Sequence, residues 1–328
     1  MPKVSVVMPV YNCEDLIAPT VRSVLAQTEK DFELVVMDDG STDGTLNVLR
    51  RLAREDRRIQ LHTQPNSGLP AIARNAALSH ASGQYICFLD GDDLYHPDKL
   101  KRQLSVFEQY PDVSLVFHEV KLFASDPQEE GETYYARRTD FLQRAKDYLR
   151  PVGETTYLCH LDFYNFMSIE INVLHTSSVL FRRTLLDKEK VWFPEIELGE
   201  DTDLWFRLAK GRRLAYIDEA LSYYRQRPGS MSTVEERAAR MMVIVMSENL
   251  KRGMDVFSAE EVKKYRSKIA DDYFSLGYLY FQKGKYAQAR SAYRRCLAMK
   301  PGLKALKGHL LTFLPAGVIK RLRKGQRE

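Results

Sequence analysis

Carboxylates gather at three places in the first two-thirds of this 328-residue chain. Asp38-Asp39 follows the apolar run Phe32-Glu33-Leu34-Val35-Val36-Met37, Asp90-Gly91-Asp92-Asp93 follows Tyr85-Ile86-Cys87-Phe88-Leu89, and Glu200-Asp201 precedes Leu204-Trp205-Phe206. Carboxylates so placed can hold a hard divalent cation, read a nucleotide and take a proton. The cluster at Asp90 is a poor calcium loop, since no Glu stands at the required offset. Mg2+ or Mn2+ fits better, because these ions accept few protein carboxylates and leave positions for phosphate oxygens. Each cluster also has a plainer reading. Asp38-Asp39-Gly40-Ser41 is an ordinary turn former. Asp90 to Asp93 before Pro97 reads equally as a strand exit and a helix cap, and Glu200-Asp201 as favourable charge in a helix's first turn. Arg74 is a surface ion pair or a pyrophosphate contact. The sequence Tyr224-Arg225-Gln226-Arg227 with Ser230-Met231-Ser232 is a basic loop, or a segment closing over a diphosphate. The joint occurrence in this order is far less probable by chance than any single piece.

The elements that must position these groups alternate strand and helix. Val4-Ser5-Val6-Val7-Met8 reads as a buried strand, Pro19 as the first position of a helix carrying Val21, Val24 and Leu25, and Leu34 to Met37 as a second strand. Ser41-Thr42-Asp43 offers caps for a helix with Leu46, Leu49 and Leu52. A weak strand at Ile59-Gln60-Leu61, a helix after Asn66-Ser67-Gly68, the strand Tyr85 to Leu89 and a helix from Pro97 complete this half. Such alternation implies parallel crossovers, with ligands at the strands' carboxyl ends. Further on, Val113 to Phe117, Ser178 to Phe181, Leu214 to Ile217 and Leu221 to Tyr224 read as strands, and Asp201 to Lys210 as a helix. Residues 123–162 are polar and irregular, long enough for a functional insertion near an acceptor. From about 236 the chain reads as helical, and Tyr273, Leu276, Gly277, Tyr280, Ala289, Tyr293 and Pro301 fall at tetratricopeptide spacing. One such unit needs neighbouring helices to lean on.

Composition narrows the partners. A 44% hydrophobic content supplies a packed core, and 49 basic against 44 acidic residues give a net charge of only +5, too weak a bias for nucleic acid. Cys13, Cys87, Cys159 and Cys296 lie far apart in no metal-type spacing and, with no secretory leader, are expected to be reduced thiols in a cytoplasmic protein. The longest tight apolar stretch, Met241 to Met246, is far below a membrane span. At the C-terminus Leu310-Leu311-Thr312-Phe313-Leu314-Pro315 leads into Val318-Ile319-Lys320-Arg321-Leu322-Arg323-Lys324. Two readings stand for this tail: a helix at an anionic membrane surface, or a solubilising end.

As a set, Val4 to Asn12, Ser23 to Thr28, Leu34 to Asp43, Asn66-Ser67-Gly68, Ala73-Arg74-Asn75 and Phe88 to Asp93 resemble glycosyltransferase family 2. The likeness is strong over residues 3–110 and continues through Gly199-Glu200-Asp201 and Tyr223-Tyr224-Arg225 to about 235. It implies the GT-A fold: α/β, a central mixed, mainly parallel sheet, then an all-α C-terminal region. Residues 1–110 would be the nucleotide-sugar-binding half, 111–235 the acceptor-binding half, and 236–328 a helical domain with one tetratricopeptide-like repeat near 270–303 and a basic tail. It implies transfer of a sugar with inversion from a nucleoside-diphosphate donor, a UDP-sugar by family expectation. The acceptor would be a hydroxyl of a glycan or polyprenyl-linked molecule, in cell-surface polysaccharide or glycoconjugate synthesis.

The same resemblance assigns roles. Pro9 and Tyr11 border the nucleobase, Asp39 accepts a hydrogen bond from it, and Arg74 lies near base and diphosphate. Asp90 serves ribose and metal, Asp92 is the direct ligand of Mg2+ or Mn2+, Arg225 stands at a diphosphate or metal-side position, and Asp201 matches the catalytic base. No acceptor contact carries over. A non-catalytic carbohydrate- or partner-binding scaffold, with protein contacts or self-association through the C-terminal helices, is the competing reading. A dinucleotide-dependent dehydrogenase is poorer, since Pro9-Val10-Tyr11-Asn12 stands where Gly-x-Gly-x-x-Gly would follow the first strand.

Overall fold

Residues 4–10 are buried almost without interruption, the mark of a strand covered on both faces inside a parallel sheet. This strand, β1 (Val4–Val10), lies between β2 (Phe32–Asp38) and β4 (Tyr85–Phe88), parallel to both, with β3 (Ile59–Thr63) parallel beyond β2. The helices α1 (Ile17–Leu25), α2 (Thr45–Glu55) and α3 (Pro70–Ser79) make the crossovers. Val10 is level with Asp38, so the loops leaving β1 and β2 emerge at one edge of the sheet, together with the loop leaving β4.

The computed structural model describes residues 1–125, 132–134, 140–189, 192–196, 198–227 and 235–314. These fall in two compact units, 1–230 and 231–328. Ser230-Met231-Ser232 and the basic tail from residue 315 lie outside the described residues.

In the first unit β5 (Leu94–Tyr95), α4 (Lys99–Gln109) and β6 (Val113–Phe123) follow β4. Next come α5 (Phe141–Ala145), β7 (Leu149–Pro151), β8 (Thr156–Cys159), α6 (Phe163–Ile169), β9 (Leu180–Arg182), α7 (Glu200–Ala209) and β10 (Arg213–Arg225). The ten strands form one mixed sheet ordered β3-β2-β1-β4-β9-β6-β10-β8-β7, with β5 paired to β10. Residues 1–110 and 111–225 therefore share one set of hydrogen bonds, joined where β9 runs antiparallel to β4 and β6.

Several local expectations change. Pro19 is the third residue of α1 rather than the first, still within the first turn, where a missing N–H costs no helical bond. At the start of α2 the expected cap falls to Asp43, whose Oδ1 accepts from the Thr45 N–H at 3.0 Å, while Ser41 and Thr42 bond Asn12 instead. The two strands expected between 214 and 224 are one, β10, with register shifts around Ala220. The three-residue turn Thr176–Ser178 is a 3-10 helix, and strand begins only at Leu180. The irregular stretch 123–162 contributes β7 and β8, which widen the sheet past β10.

The second unit is helical: α8 (Glu235–Arg252), α9 (Ala259–Gln282), α10 (Tyr286–Met299) and α11 (Leu303–Leu311). Ser258 and Glu261 form a reciprocal capping box at the start of α9. The tetratricopeptide-like spacing has a physical cause at Gly277, where a Cβ would stand 2.9 Å from the Tyr293 ring. All four cysteines are buried and free, and no described helix is long and apolar enough to cross a membrane. Gly277→Val should therefore overpack the α9–α10 contact and destabilise the helical unit by about 1–3 kcal/mol. Urea unfolding followed by far-ultraviolet circular dichroism checks this, and an unchanged midpoint would mean the helices are not held that close.

Candidate active site

Two loops at the edge of the sheet are tied together before any ligand arrives. Asn12, with φ of 49°, donates its backbone N–H to Ser41 Oγ at 3.0 Å, and its side-chain oxygen accepts from the Thr42 N–H at 2.8 Å. The Cys13 N–H donates to Thr45 Oγ1 at 2.7 Å. Gly40 allows the turn: its φ is +72°, and a Cβ there would lie 2.5 Å from the Asn66 nitrogen. The close approach brings Ser67 against Asp39. Asp39 Oδ1 accepts from the Ser67 N–H at 3.1 Å and Gln64 Nε2 at 2.5 Å, and Oδ2 accepts from Ser67 Oγ at 2.8 Å. A carboxylate offers about four acceptor positions, so this buried Asp39 keeps room for one further donor. Pro9 ends the same edge, and Tyr11 beyond it is 48% exposed.

Arg74, buried on α3, joins two of the three carboxylate clusters. Its Nη2 donates to Asp90 Oδ1 at 2.7 Å and its Nη1 donates to Glu200 Oε1. Burial pulls the guanidinium's pKa down, but Asp90, Glu200 and Asp201 outweigh it and hold the group above its ordinary value. Burial also pushes Asp90 up, and Arg74 more than reverses that. Glu200 stays raised, because burial beside Asp201 exceeds what Arg74 returns.

Asp201 begins α7 next to Glu200 and is half-buried. Its Oδ2 accepts from Thr176 Oγ1 at 2.7 Å and its Oδ1 from the Thr202 N–H at 2.6 Å. The residue after Thr176 holds a different carboxylate, since Ser177 Oγ donates to Asp93 Oδ2 at 2.7 Å. Asp93 Oδ1 accepts from the Arg225 N–H at 3.1 Å. One 3-10 turn thus fixes both Asp201 and the loop after β4.

Asp92 meets Arg227, not Arg225, through Nε to Oδ2 at 3.0 Å. Arg225 donates its Nε to the Asp92 carbonyl at 3.0 Å and lies over the Phe123 ring at 4.4 Å. The two arginines therefore divide the loop between its backbone and its carboxylate. Burial and then Asp90 push Asp92 up, and burial with Asp90 and Asp92 pushes Asp93 far up. This crowding of like charge fits a divalent cation beside Asp90 and Asp92. Among the described residues no group of three or more His, Cys, Asp or Glu is placed to hold a metal ion.

The structure thus gathers Asp90, Asp92, Arg74, Arg225 and Asp201 around the end of β4, with Asp39, Pro9 and Tyr11 along the adjoining edge. Sequence reasoning did not single out Thr176 or Ser177, and it named Asp93, Arg227 and Glu200 only as members of the runs Asp90 to Asp93, Tyr224 to Arg227 and Glu200-Asp201. The profile of glycosyl transferase family 2 matches residues 5–188. The chain belongs to glycosyl transferase family 2. A tetratricopeptide-repeat profile matches residues 270–303.

Among curated relatives, the putative teichuronic acid biosynthesis glycosyltransferase TuaG of Bacillus subtilis is 31% identical over 252 residues, 75% of this chain and 88% of that protein. Other curated relatives are longer, and the chain spans about a third of their length. S. aureus TarS 1-349 superposes with a TM-score of 0.67 at 19% identity, covering 98% of this chain and 92% of that one. That protein is also known in complex with UDP-GlcNAc. The mannosyltransferase PcManGT of Pyrobaculum calidifontis, in complex with GDP-Man and Mn2+, gives a TM-score of 0.59 at 19% identity over 93% of this chain and 78% of that one. These superpositions speak for the fold, which is GT-A with an all-helical C-terminal region.

In this family 2 glycosyltransferase the buried Arg74 is the test of the assembled site. Arg74→Ala leaves Asp90 and Glu200 without their counter-charge, and breaking such a buried pair costs about 3–5 kcal/mol. Denaturant unfolding of the variant should show that loss. Stability equal to the parent would mean that Arg74 does not lie between the two carboxylates.

Proposed function

We propose that this glycosyltransferase moves a sugar with inversion from a UDP-sugar to a hydroxyl of a glycan or lipid-linked acceptor, with Mg2+ or Mn2+ at Asp90 and Asp92. The single observation that carries the reading is the Arg74 bridge, which brings Glu200-Asp201 to the carboxylates after β4. A uracil base has one imide N–H to donate, and Asp39 Oδ2 has one position left to accept it. The UDP-GlcNAc complex of TarS, the Mn2+ complex of PcManGT and the polymer-synthesis name of TuaG support the same direction.

Elimination favours Asp201 as the base. Asp93 is fully buried, Asp90 and Glu200 share Arg74, and Asp203 is paired with Arg207 at 2.9 Å. Asp201 is half-buried and, among the described residues, accepts from two hydroxyls and one backbone N–H, so one of its roughly four acceptor positions remains for an acceptor hydroxyl. Asp201 takes that proton as the acceptor oxygen bonds to the anomeric carbon and the bond from that carbon to the diphosphate breaks on the opposite face. Pro9 and Tyr11 flank the base, and Arg225 and Arg227 stand on the diphosphate side. When bound, the divalent cation supplies charge neutralisation for the leaving group.

Asp201→Asn should keep donor affinity while turnover, read as nucleoside diphosphate release with acceptor present, falls about 10²–10⁴-fold. Full turnover would remove Asp201 from this role. Asp92→Ala should lose the metal-dependent part of UDP affinity. Calorimetry with and without Mn2+ reads it directly, and an Asp92→Ala protein that still gains affinity from Mn2+ would contradict the assignment.

A further inference from the structure

The inner face of α11 packs through Ala305 and Thr312, which are buried, and through Gly308, where a Cβ would stand 2.6 Å from the Tyr293 ring. Its outer face is apolar as well. Leu303 is 84% exposed, Leu310 58% and Phe313 57%, with Leu306 and Leu314 also exposed. Backbone bonds from Phe313 N–H to Leu310 and from Leu314 N–H to Leu311 carry the coil one turn past the helix. At 3.6 residues per turn these five side chains fall within an arc of about 100°. A helix buried on one face ordinarily turns polar residues outward on the other, so this stripe needs a cover.

Charge identifies the cover. Lys304 and Lys307, both exposed, flank the stripe on one side. On the other, Arg290 lies over the Phe313 ring at 3.8 Å and donates to the Thr312 carbonyl at 3.0 Å. Residues 300–328 contain eight Lys and Arg against one Glu, or +7, while the whole chain carries +5, leaving −2 for everything before residue 300. A second copy of this chain would bring the same positive charge to the same face and be repelled. A polyanionic glycan would match the charge but leave five apolar side chains in water. A surface that is anionic outside and apolar beneath matches both features.

We propose that this end of the chain docks onto an anionic phospholipid bilayer. The stripe from Leu303 to Leu314 enters the boundary between headgroups and acyl chains, and Lys304 and Lys307 meet the lipid phosphates. Attachment is to one surface, since no described helix can span a bilayer. The inference does not depend on the sugar, the acceptor or the catalytic assignments.

The test is co-sedimentation of the full chain with vesicles of phosphatidylglycerol and phosphatidylcholine, and with vesicles of phosphatidylcholine alone. Binding is expected only to the anionic vesicles. The double variant Leu306→Ser/Leu310→Ser should weaken it at least about tenfold. Lys304→Glu/Lys307→Glu should weaken it by roughly 25-fold or more, since each lysine near such a surface is worth about fivefold. Unchanged thermal melts should confirm that these exposed substitutions leave the fold intact. Three results overturn the proposal: no binding to anionic vesicles, binding unaffected by the leucine substitutions, or a dimer in solution that those substitutions dissolve while vesicle binding is absent.

Discussion

A guanidinium shut away from water between two carboxylates is the constraint on which the site depends. Arg74 comes from the third crossover helix, Asp90 from the loop after the strand beside β1, and Glu200 from a helix far along the chain. An ion taken out of water costs several kcal/mol, recovered only when partners are close and well aligned. Neither half of the sheet can provide both partners. The chain before residue 110 holds Arg74 and Asp90, and the second carboxylate comes from α7, which brings Asp201 with it as the neighbour of Glu200.

The remaining electrostatics follow from that arrangement. Asp90 has a counter-charge and is held below its ordinary pKa, whereas Asp92 and Asp93 are pushed up, first by burial and then by the carboxylates around them. Asp93 spends both oxygens on Ser177 and the Arg225 backbone, which leaves it a structural post. Among the described residues the carboxylate of Asp92 is paired with Arg227, whose own side chain is exposed. In the proposed mechanism this crowding of carboxylates is what a cation beside Asp90 and Asp92 would relieve.

Much of the donor edge was legible in the sequence. Strands β1, β2 and β4 are apolar on both faces, so they had to be central, and the aspartates that follow them had to stand at the carboxyl edge. The tetratricopeptide-like unit was legible because Gly277 and Tyr293 occupy positions where ring and backbone must touch. What stayed hidden depended on contacts that local pattern cannot encode. Glu200 meets Arg74 across 126 residues. Thr176 and Ser177 are small polar residues in a short turn, indistinguishable in sequence from any other loop. Arg225 ends β10 and Arg227 stands two residues beyond it, and only their contacts show that Arg225 lies over Phe123 while Arg227 reaches the carboxylate of Asp92.

The turn at Thr176 and Ser177 makes the two sides of the site mechanically continuous. Thr176 grips Asp201, Ser177 grips Asp93, and Asp93 in turn holds the backbone of Arg225 while that side chain holds the Asp92 carbonyl. Adjacent residues of a buried 3-10 turn cannot shift independently, since Ser178 is tied back to His175 by its N–H at 2.8 Å. A displacement of the loop after β4 must therefore be felt at the carboxylate of Asp201, and a displacement of Asp201 at the loop. Orientation of a base toward its acceptor contributes to rate only when it is fixed before reaction. In the proposed mechanism the same turn would therefore hold both the base, Asp201, and the loop that carries Asp92 and Asp93.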